Sequence, residues 1–132
     1  STLVLADYAR SHNATFYSVD VDKEALALAS ELVGGSDGSV FFVHEDGVSF
    51  LSRLSDEFDF LYLDSSNDPQ DTLNQAVMMG NRARVVIIDD CQSYDEARPL
   101  GKGTLAIPYL QSQGYSLEMV DVYRQRMAVL YR

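Results

Sequence analysis

The sequence predicts an α/β fold with a mostly parallel sheet. The first observation is a run of four β-branched residues, Val85, Val86, Ile87 and Ile88, which is typical of a strand buried on both faces. The second is that predicted strands alternate with predicted helices along most of the chain, as they do when crossovers join parallel strands. The third is the alternation of apolar and polar residues near the C terminus, which predicts an antiparallel hairpin.

Local signals place each element. Strands are predicted where β-branched and aromatic residues cluster, and helices where Ala and Leu recur between capping residues and glycines. The predicted helices cover residues 2–10, 23–32, 48–54, 71–79 and 104–113. The predicted strands cover residues 15–21, 40–44, 58–63, 84–90, 115–123 and 126–131, with the hairpin connection at Arg124-Gln125. Residues 95–103 are too polar and too rich in Gly and Pro for regular structure, so we expect a loop over the site.

Capping residues support these helix limits. Asp22 is predicted to cap the second helix, and Gly34-Gly35 to end it. Asp68 or Asp71 is available to cap the fourth helix, and Ser1 or Thr2 the first.

Composition narrows the class of protein. A length of 132 residues predicts a single domain over residues 1–132, and no apolar run approaches the roughly 20 residues that a bilayer requires. The formal charge of -10 argues against a nucleic-acid partner, because phosphate binding needs clustered Lys and Arg. One cysteine, Cys91, cannot form an internal disulfide, so we expect a cytoplasmic protein and interpret Cys91 as a packing residue.

Three predicted parallel strands end in carboxylates: Asp20 with Asp22, then Asp64, then Asp89 with Asp90. Because the carboxyl ends of parallel strands meet at one edge of a sheet, we expect these side chains to surround one cleft. An acid after an early strand often binds a ribose, whereas Asp64, Asp89 and Asp90 suit a hard cation such as Mg²⁺. The alternatives are helix capping for the first pair and a solvated loop for the last pair.

Six segments in this order resemble the class I methyltransferases that use S-adenosylmethionine, and in particular their cation-dependent O-methyltransferase branch. The segments are STLVLADYAR, YSVDVD, FFVHEDGVSFL, FLYLDSS, VVIIDD and GKGTLAIPYLQSQGYSLEMV with its hairpin. The resemblance covers nearly the whole chain. It implies a Rossmann-like sheet and transfer of a methyl group to an oxygen of a small-molecule acceptor.

The resemblance also implies roles for individual residues. Asp20 would bind the cofactor's ribose, Asp46 and Gly47 would lie near its adenine, and Asp64 would also lie on the cofactor side. The metal ligands would be Asp64, Asp89 and Asp90. Mg²⁺ held there would bind two adjacent substrate oxygens and acidify the hydroxyl to be methylated.

The family's first strand and glycine-rich loop would lie before Ser1. That strand normally occupies the centre of the sheet, between the predicted strands 15–21 and 58–63. We therefore expect a fold truncated at its N terminus, a fragment of a longer protein. Two alternatives remain: the two strands pair directly, or a partner chain fills the slot through homo-oligomer formation or strand exchange.

The identity of a catalytic base is open. Catechol-type relatives carry a lysine three residues after the first metal aspartate, where this chain has Asn67. His44 and Lys102 are the candidate catalytic residues, with a structural histidine and a solvated loop lysine as the alternatives. Tyr94 is either part of a substrate pocket or a surface aromatic residue.

Other classes fit less well. A phosphoreceiver domain needs more chain after its acidic pair than residues 91–132 provide, and a dehydrogenase would carry G-x-G-x-x-G, which is lacking. The main alternative is a methyltransferase-like module that binds a ligand without catalysis, or an inactive fragment.

Overall fold

The computed structural model describes residues 2–92 and 96–132 of the chain. Three residues with predicted roles, Ser1 as a cap, Tyr94 in a pocket and Asp95 in a loop, lie outside the described residues. The chain divides into two compact units, Ser1–Phe50 and Leu51–Arg132. The single domain that the sequence predicts over residues 1–132 stays a prediction. None of the helices in the described ranges has the length and apolar character needed to cross a membrane.

The first unit contains two helices and two strands, followed by the start of a third helix. These elements are α1 (Thr2–Ser11), β1 (Phe16–Asp20), α2 (Lys23–Val33), β2 (Val40–His44) and α3 (Gly47–Arg53). β1 and β2 are parallel, with Phe16 opposite Val40 and Asp20 opposite His44. Ala6, Val33 and Val40 form a small core. As predicted for crossovers, the helix between the two strands packs its apolar residues against them.

α2 begins at the predicted residue and ends one residue beyond the predicted end, at Val33. The Asp22 carboxylate accepts hydrogen bonds from the backbone N–H groups of Glu24 and Ala25, which satisfies two donors that a helix start leaves open. Gly34 ends the helix with φ of +86°, a left-handed conformation that favours glycine.

The second unit contains the remaining strands and helices. They are β3 (Phe58–Leu63), α4 (Pro69–Met79), β4 (Ala83–Ile88), a 3-10 helix (Gly101–Gly103), α5 (Ala106–Ser112), β5 (Ser116–Val122) and β6 (Gln125–Tyr131). The strand order is β3-β4-β6-β5. β3 and β4 are parallel, whereas β6 is antiparallel to both β4 and β5. The predicted antiparallel hairpin is therefore present, and its second strand lies directly beside β4.

β4 is an interior strand, as its unbroken β-branched run predicts. It pairs with β3 on one side and β6 on the other, and Val86 and Ile88 have no solvent exposure. The fold class predicted from the sequence, an α/β fold with parallel strands and a C-terminal antiparallel hairpin, is confirmed.

Three details differ from the prediction. α4 begins at Pro69, because Asp68 accepts a hydrogen bond from Gln70 N–H and proline suits the first helical position. The hairpin connection is Tyr123-Arg124, with Tyr123 at φ of +55°. Residues 101–103, which lie in the predicted loop, form a short 3-10 helix.

Candidate functional site

Carboxylates from two parallel strands meet at the carboxyl edge of the second unit. Asp64 follows β3 and the pair Asp89-Asp90 follows β4, and these strands lie in register with Leu63 opposite Ile88. Asp64 and Asp90 contact the same group: Lys102 Nζ lies 2.6 Å from Asp64 Oδ1 and 3.3 Å from Asp90 Oδ2. The predicted convergence of Asp64 with Asp90 is therefore present, with an ammonium group between them.

The backbone of the 3-10 helix delivers Lys102 to this position. Lys102 N–H donates a hydrogen bond to the Asp90 carbonyl at 3.1 Å. Gly101 has φ of +54°, and a Cβ there would overlap the Asp90 carbonyl oxygen and lie 2.6 Å from the Gln92 carbonyl oxygen. A Cβ on Gly103 would lie 3.0 Å from Cys91 Sγ. A side chain at residue 101 would therefore meet backbone atoms, whereas one at residue 103 would meet the side chains of Cys91 and Ile107.

Lys102 is buried rather than solvated. Its side chain is 6% exposed, so the interpretation as a solvated loop lysine is wrong. Burial alone would lower the pKa of Lys102, but its hydrogen bonds and ion pairs with Asp64 and Asp90 outweigh that effect and raise the pKa above 10.5. The amine therefore keeps its proton at neutral pH, which opposes its predicted role as a catalytic base.

The third carboxylate of the edge, Asp89, makes separate contacts. It is 5% exposed, and it accepts hydrogen bonds from the Tyr62 hydroxyl at 2.7 Å and from Asp90 N–H at 2.8 Å. Burial, followed by the bond to Asp89, raises the pKa of Tyr62. Asp90 has φ of +49°, a left-handed conformation that is uncommon for a residue with a side chain.

These residues do not fit the predicted magnesium site. Mg²⁺ prefers about six oxygen ligands at roughly 2.0–2.1 Å. Within residues 2–92 and 96–132, no group of three His, Cys, Asp or Glu side chains is placed to hold a metal ion. Lys102 lies between two of the three predicted ligands, and both carboxylate oxygens of Asp89 are engaged by Tyr62 and Asp90. The charges of Asp64 and Asp90 are compensated by a lysine.

The residues predicted to bind the cofactor lie in the first unit, apart from Asp64. Asp20 ends β1, is exposed, and its Oδ1 accepts a hydrogen bond from Asp22 N–H at 2.9 Å. Asp46 precedes α3, which begins at Gly47, and accepts hydrogen bonds from Ser49 N–H and the Ser49 hydroxyl. The Ser49 hydroxyl is the main cause of a lowered pKa of Asp46. The alternative roles of Asp20 and Asp22 in a turn and a helix cap are thus present, and Asp46 likewise bonds the start of α3. The predicted roles of Asp20, Asp46 and Gly47 toward a cofactor stay predictions.

His44 has a structural contact. Its Nε2 lies 2.9 Å from the Val21 carbonyl oxygen, so this nitrogen carries the proton and donates it. The contact ties the end of β2 to the loop after β1. A histidine held by its own N–H is the structural alternative considered for His44, and its predicted catalytic role stays a prediction.

Sequence reasoning missed two features of the acidic edge. The burial of Lys102 could have been inferred from its two flanking glycines, because G-K-G in a loop allows close approach to neighbouring backbone. The Tyr62 to Asp89 bond had no local signal, since 27 residues separate its partners.

No protein-family model and no curated protein matches this sequence. Solved structures do match the fold. An O-methyltransferase family protein from Burkholderia thailandensis has a TM-score of 0.69 and 12% identity, over 97% of this chain and 47% of that chain. Magnesium protoporphyrin IX methyltransferase from Synechocystis PCC 6803, solved with bound SAH, has a TM-score of 0.66 and 14% identity, over 99% of this chain and 68% of that one.

An rRNA methylase from Streptococcus thermophilus has a TM-score of 0.64 and 12% identity, over 89% of this chain and 73% of that chain. The chain thus spans about half the length of the Burkholderia protein. At these identities the likeness concerns the fold. The chain has the class I methyltransferase fold.

Proposed function

We propose that this protein is an S-adenosylmethionine-dependent methyltransferase that methylates an oxygen of a small-molecule acceptor in the cytoplasm. The observation that carries the proposal is the match of 97–99% of the chain to methyltransferase structures, one of which holds bound SAH. Asp20 adds support, because it stands at the end of β1, where an acid binds the ribose in this kind of sheet. The net charge of -10 favours a small acceptor over RNA.

Each residue has a stated part in the proposal. Asp20 accepts hydrogen bonds from the two ribose hydroxyls, and the start of α3 at Asp46 and Gly47 lies beside the adenine. When bound, S-adenosylmethionine supplies an electrophilic methyl group. Mg²⁺ has no part in the proposal, because Lys102 already compensates the charge of Asp64 and Asp90.

Calorimetric titration of the full protein with S-adenosylhomocysteine tests this proposal. We expect saturable one-to-one binding, and a loss of at least about tenfold in affinity for Asp20→Ala, since hydrogen bonds to a charged group contribute about 1.5–3 kcal/mol. Asp59→Ala is the matched control, because Asp59 is also an exposed strand aspartate and its removal changes the net charge equally. Absence of binding, or equal losses in the two variants, would contradict the proposal.

A second candidate function is a non-catalytic module that binds the same ligand. The observation in its favour concerns the base: Lys102 is held protonated between carboxylates, and Asn67 stands where catechol-type relatives carry a lysine. Incubation with methyl-labelled S-adenosylmethionine and a panel of catechols and sugar hydroxyls separates the two. Label transfer to an acceptor supports the enzyme, whereas tight binding without transfer supports the module.

A further inference from the structure

An ammonium group occupies the space between the carboxylates of two neighbouring strand ends in the second unit. We propose that Lys102 is a built-in replacement for a divalent cation: it neutralises Asp64 and Asp90, makes this edge independent of metal ions, and conceals a latent cation site. This inference concerns charge compensation at the edge. It goes beyond methyl transfer and does not depend on it.

The first argument is geometric. One nitrogen, Lys102 Nζ, lies 2.6 Å from Asp64 and 3.3 Å from Asp90, so a single positive charge joins residues that follow two parallel strands. A metal ion bridging the same carboxylates would have to occupy the space that this nitrogen fills. Cation and ammonium therefore exclude each other by space and by charge.

The second argument is that the lysine is held in place. Its side chain is 6% exposed, and its backbone N–H donates to the Asp90 carbonyl. Gly101 packs so closely on the backbone of Asp90 and Gln92 that a Cβ would not fit. A surface lysine can turn into solvent when a metal ion arrives, whereas the Lys102 side chain is buried, its ammonium is held by two ion pairs, and its backbone is docked on Asp90.

The third argument concerns the ligands that would remain without the lysine. Both oxygens of Asp89 are engaged, by the Tyr62 hydroxyl and by Asp90 N–H. Asp64 and Asp90 are partly exposed, with 41% and 31% of their side chains accessible. Two carboxylates completed by water are a common ligand set for Mg²⁺ and Mn²⁺, so removal of the lysine charge should leave a workable site.

The experiment is a titration of the full protein with MnCl₂, in which electron paramagnetic resonance measures the concentration of free Mn²⁺. We expect Lys102→Met to bind one Mn²⁺ at least tenfold more tightly than the unsubstituted protein, and Asp64→Asn in that background to abolish the gain. Lys23→Met is the matched control, because Lys23 is exposed and its loss changes the net charge equally. Mg²⁺ should raise the melting temperature of Lys102→Met and leave that of the control unchanged.

Each outcome decides the proposal. Binding by the unsubstituted protein as tight as that by Lys102→Met would overturn it, as would an equal gain in Lys23→Met. If Lys102→Met does not fold, Lys102→Gln, a neutral variant with a hydrogen-bonding side chain, replaces it. If neither variant folds without metal, recovery of the folded state on adding Mn²⁺ supports the proposal, and failure to recover overturns it.

Discussion

Aspartates lie at the carboxyl ends of parallel strands in both units of this chain, yet they have different partners. In the first unit, Asp20 and Asp22 are exposed and accept hydrogen bonds from backbone N–H groups of a turn and a helix start. In the second unit, Asp64 and Asp90 form ion pairs with a buried lysine, and Asp89 accepts a hydrogen bond from a tyrosine. The same residue type at the same topological position is therefore a solvated cap in one unit and part of a charge cluster in the other.

The difference shows that sheet topology determines where a carboxylate lies but not which group compensates its charge. A parallel sheet brings strand ends to one edge, as expected. What faces that edge decides whether water, backbone or a cation compensates the charge. In the second unit the deciding element is the 3-10 helix that carries Lys102, and this helix begins 11 residues after Asp90.

The largest expected effect comes from removing both acidic partners of Lys102. Asp64→Asn with Asp90→Asn leaves a buried ammonium without carboxylates, and we expect the free energy of unfolding to fall by about 2–4 kcal/mol, less than for a fully buried pair because Asp64 is 41% exposed. Asp7→Asn with Asp20→Asn changes the charge equally and should cost less than about 1 kcal/mol. Urea unfolding measures both, and equal losses would remove the contrast between the units.

The next effect concerns the backbone that carries the lysine. Gly101→Ala places a Cβ against the Asp90 and Gln92 carbonyl oxygens at φ of +54°, so we expect a loss of about 2–3 kcal/mol. Gly38→Ala in the first unit meets no atom within 4 Å and should change stability by less than about 0.5 kcal/mol. Thermal and urea unfolding measure the pair, and a tolerated Gly101→Ala would show that the docking is loose.

A smaller effect is expected at the tyrosine that binds Asp89. Tyr62→Phe removes the 2.7 Å hydrogen bond to a carboxylate that is 5% exposed, at an expected cost of about 1–2 kcal/mol. Tyr8→Phe, in the first unit, alters a side chain that is 59% exposed and should be close to neutral. The comparison fails if the two substitutions have the same effect on the urea midpoint.

The smallest effect is a pH dependence in the first unit. The pKa of Asp46 is lowered in the folded state by its hydrogen bonds to Ser49. The ionised carboxylate therefore stabilises the fold at pH values above 3.8, the ordinary pKa of the group. That contribution disappears as pH falls below 3.8 through the lowered pKa. Asp46→Asn should therefore flatten the acid side of the stability profile. Melting temperatures across this range measure the difference.

Local patterns were enough to predict most of the elements. The run at residues 85–88 predicted an interior strand, and β4 is paired on both sides. Asp22 and Gly34 predicted the two ends of α2, because capping depends on neighbours a few residues away. The predicted start of α4 and the predicted hairpin turn were less accurate. Proline at the start of α4 and Tyr123 at a positive φ depend on the path of the chain into the helix and through the turn.

The amino-acid pattern alone also determined that Asp64 and Asp90 would meet, because the period and order of the strands set which edge they share. It could not determine what lies between them. Lys102 follows Asp64 by 38 residues, and its position depends on how closely two glycines dock on a distant loop. Either a metal ion or a lysine can compensate the charge of two converging carboxylates, and the sequence does not distinguish between them. Only the tertiary structure shows that Lys102 compensates these carboxylates, because the burial and charge balance of a side chain depend on residues that are close in space.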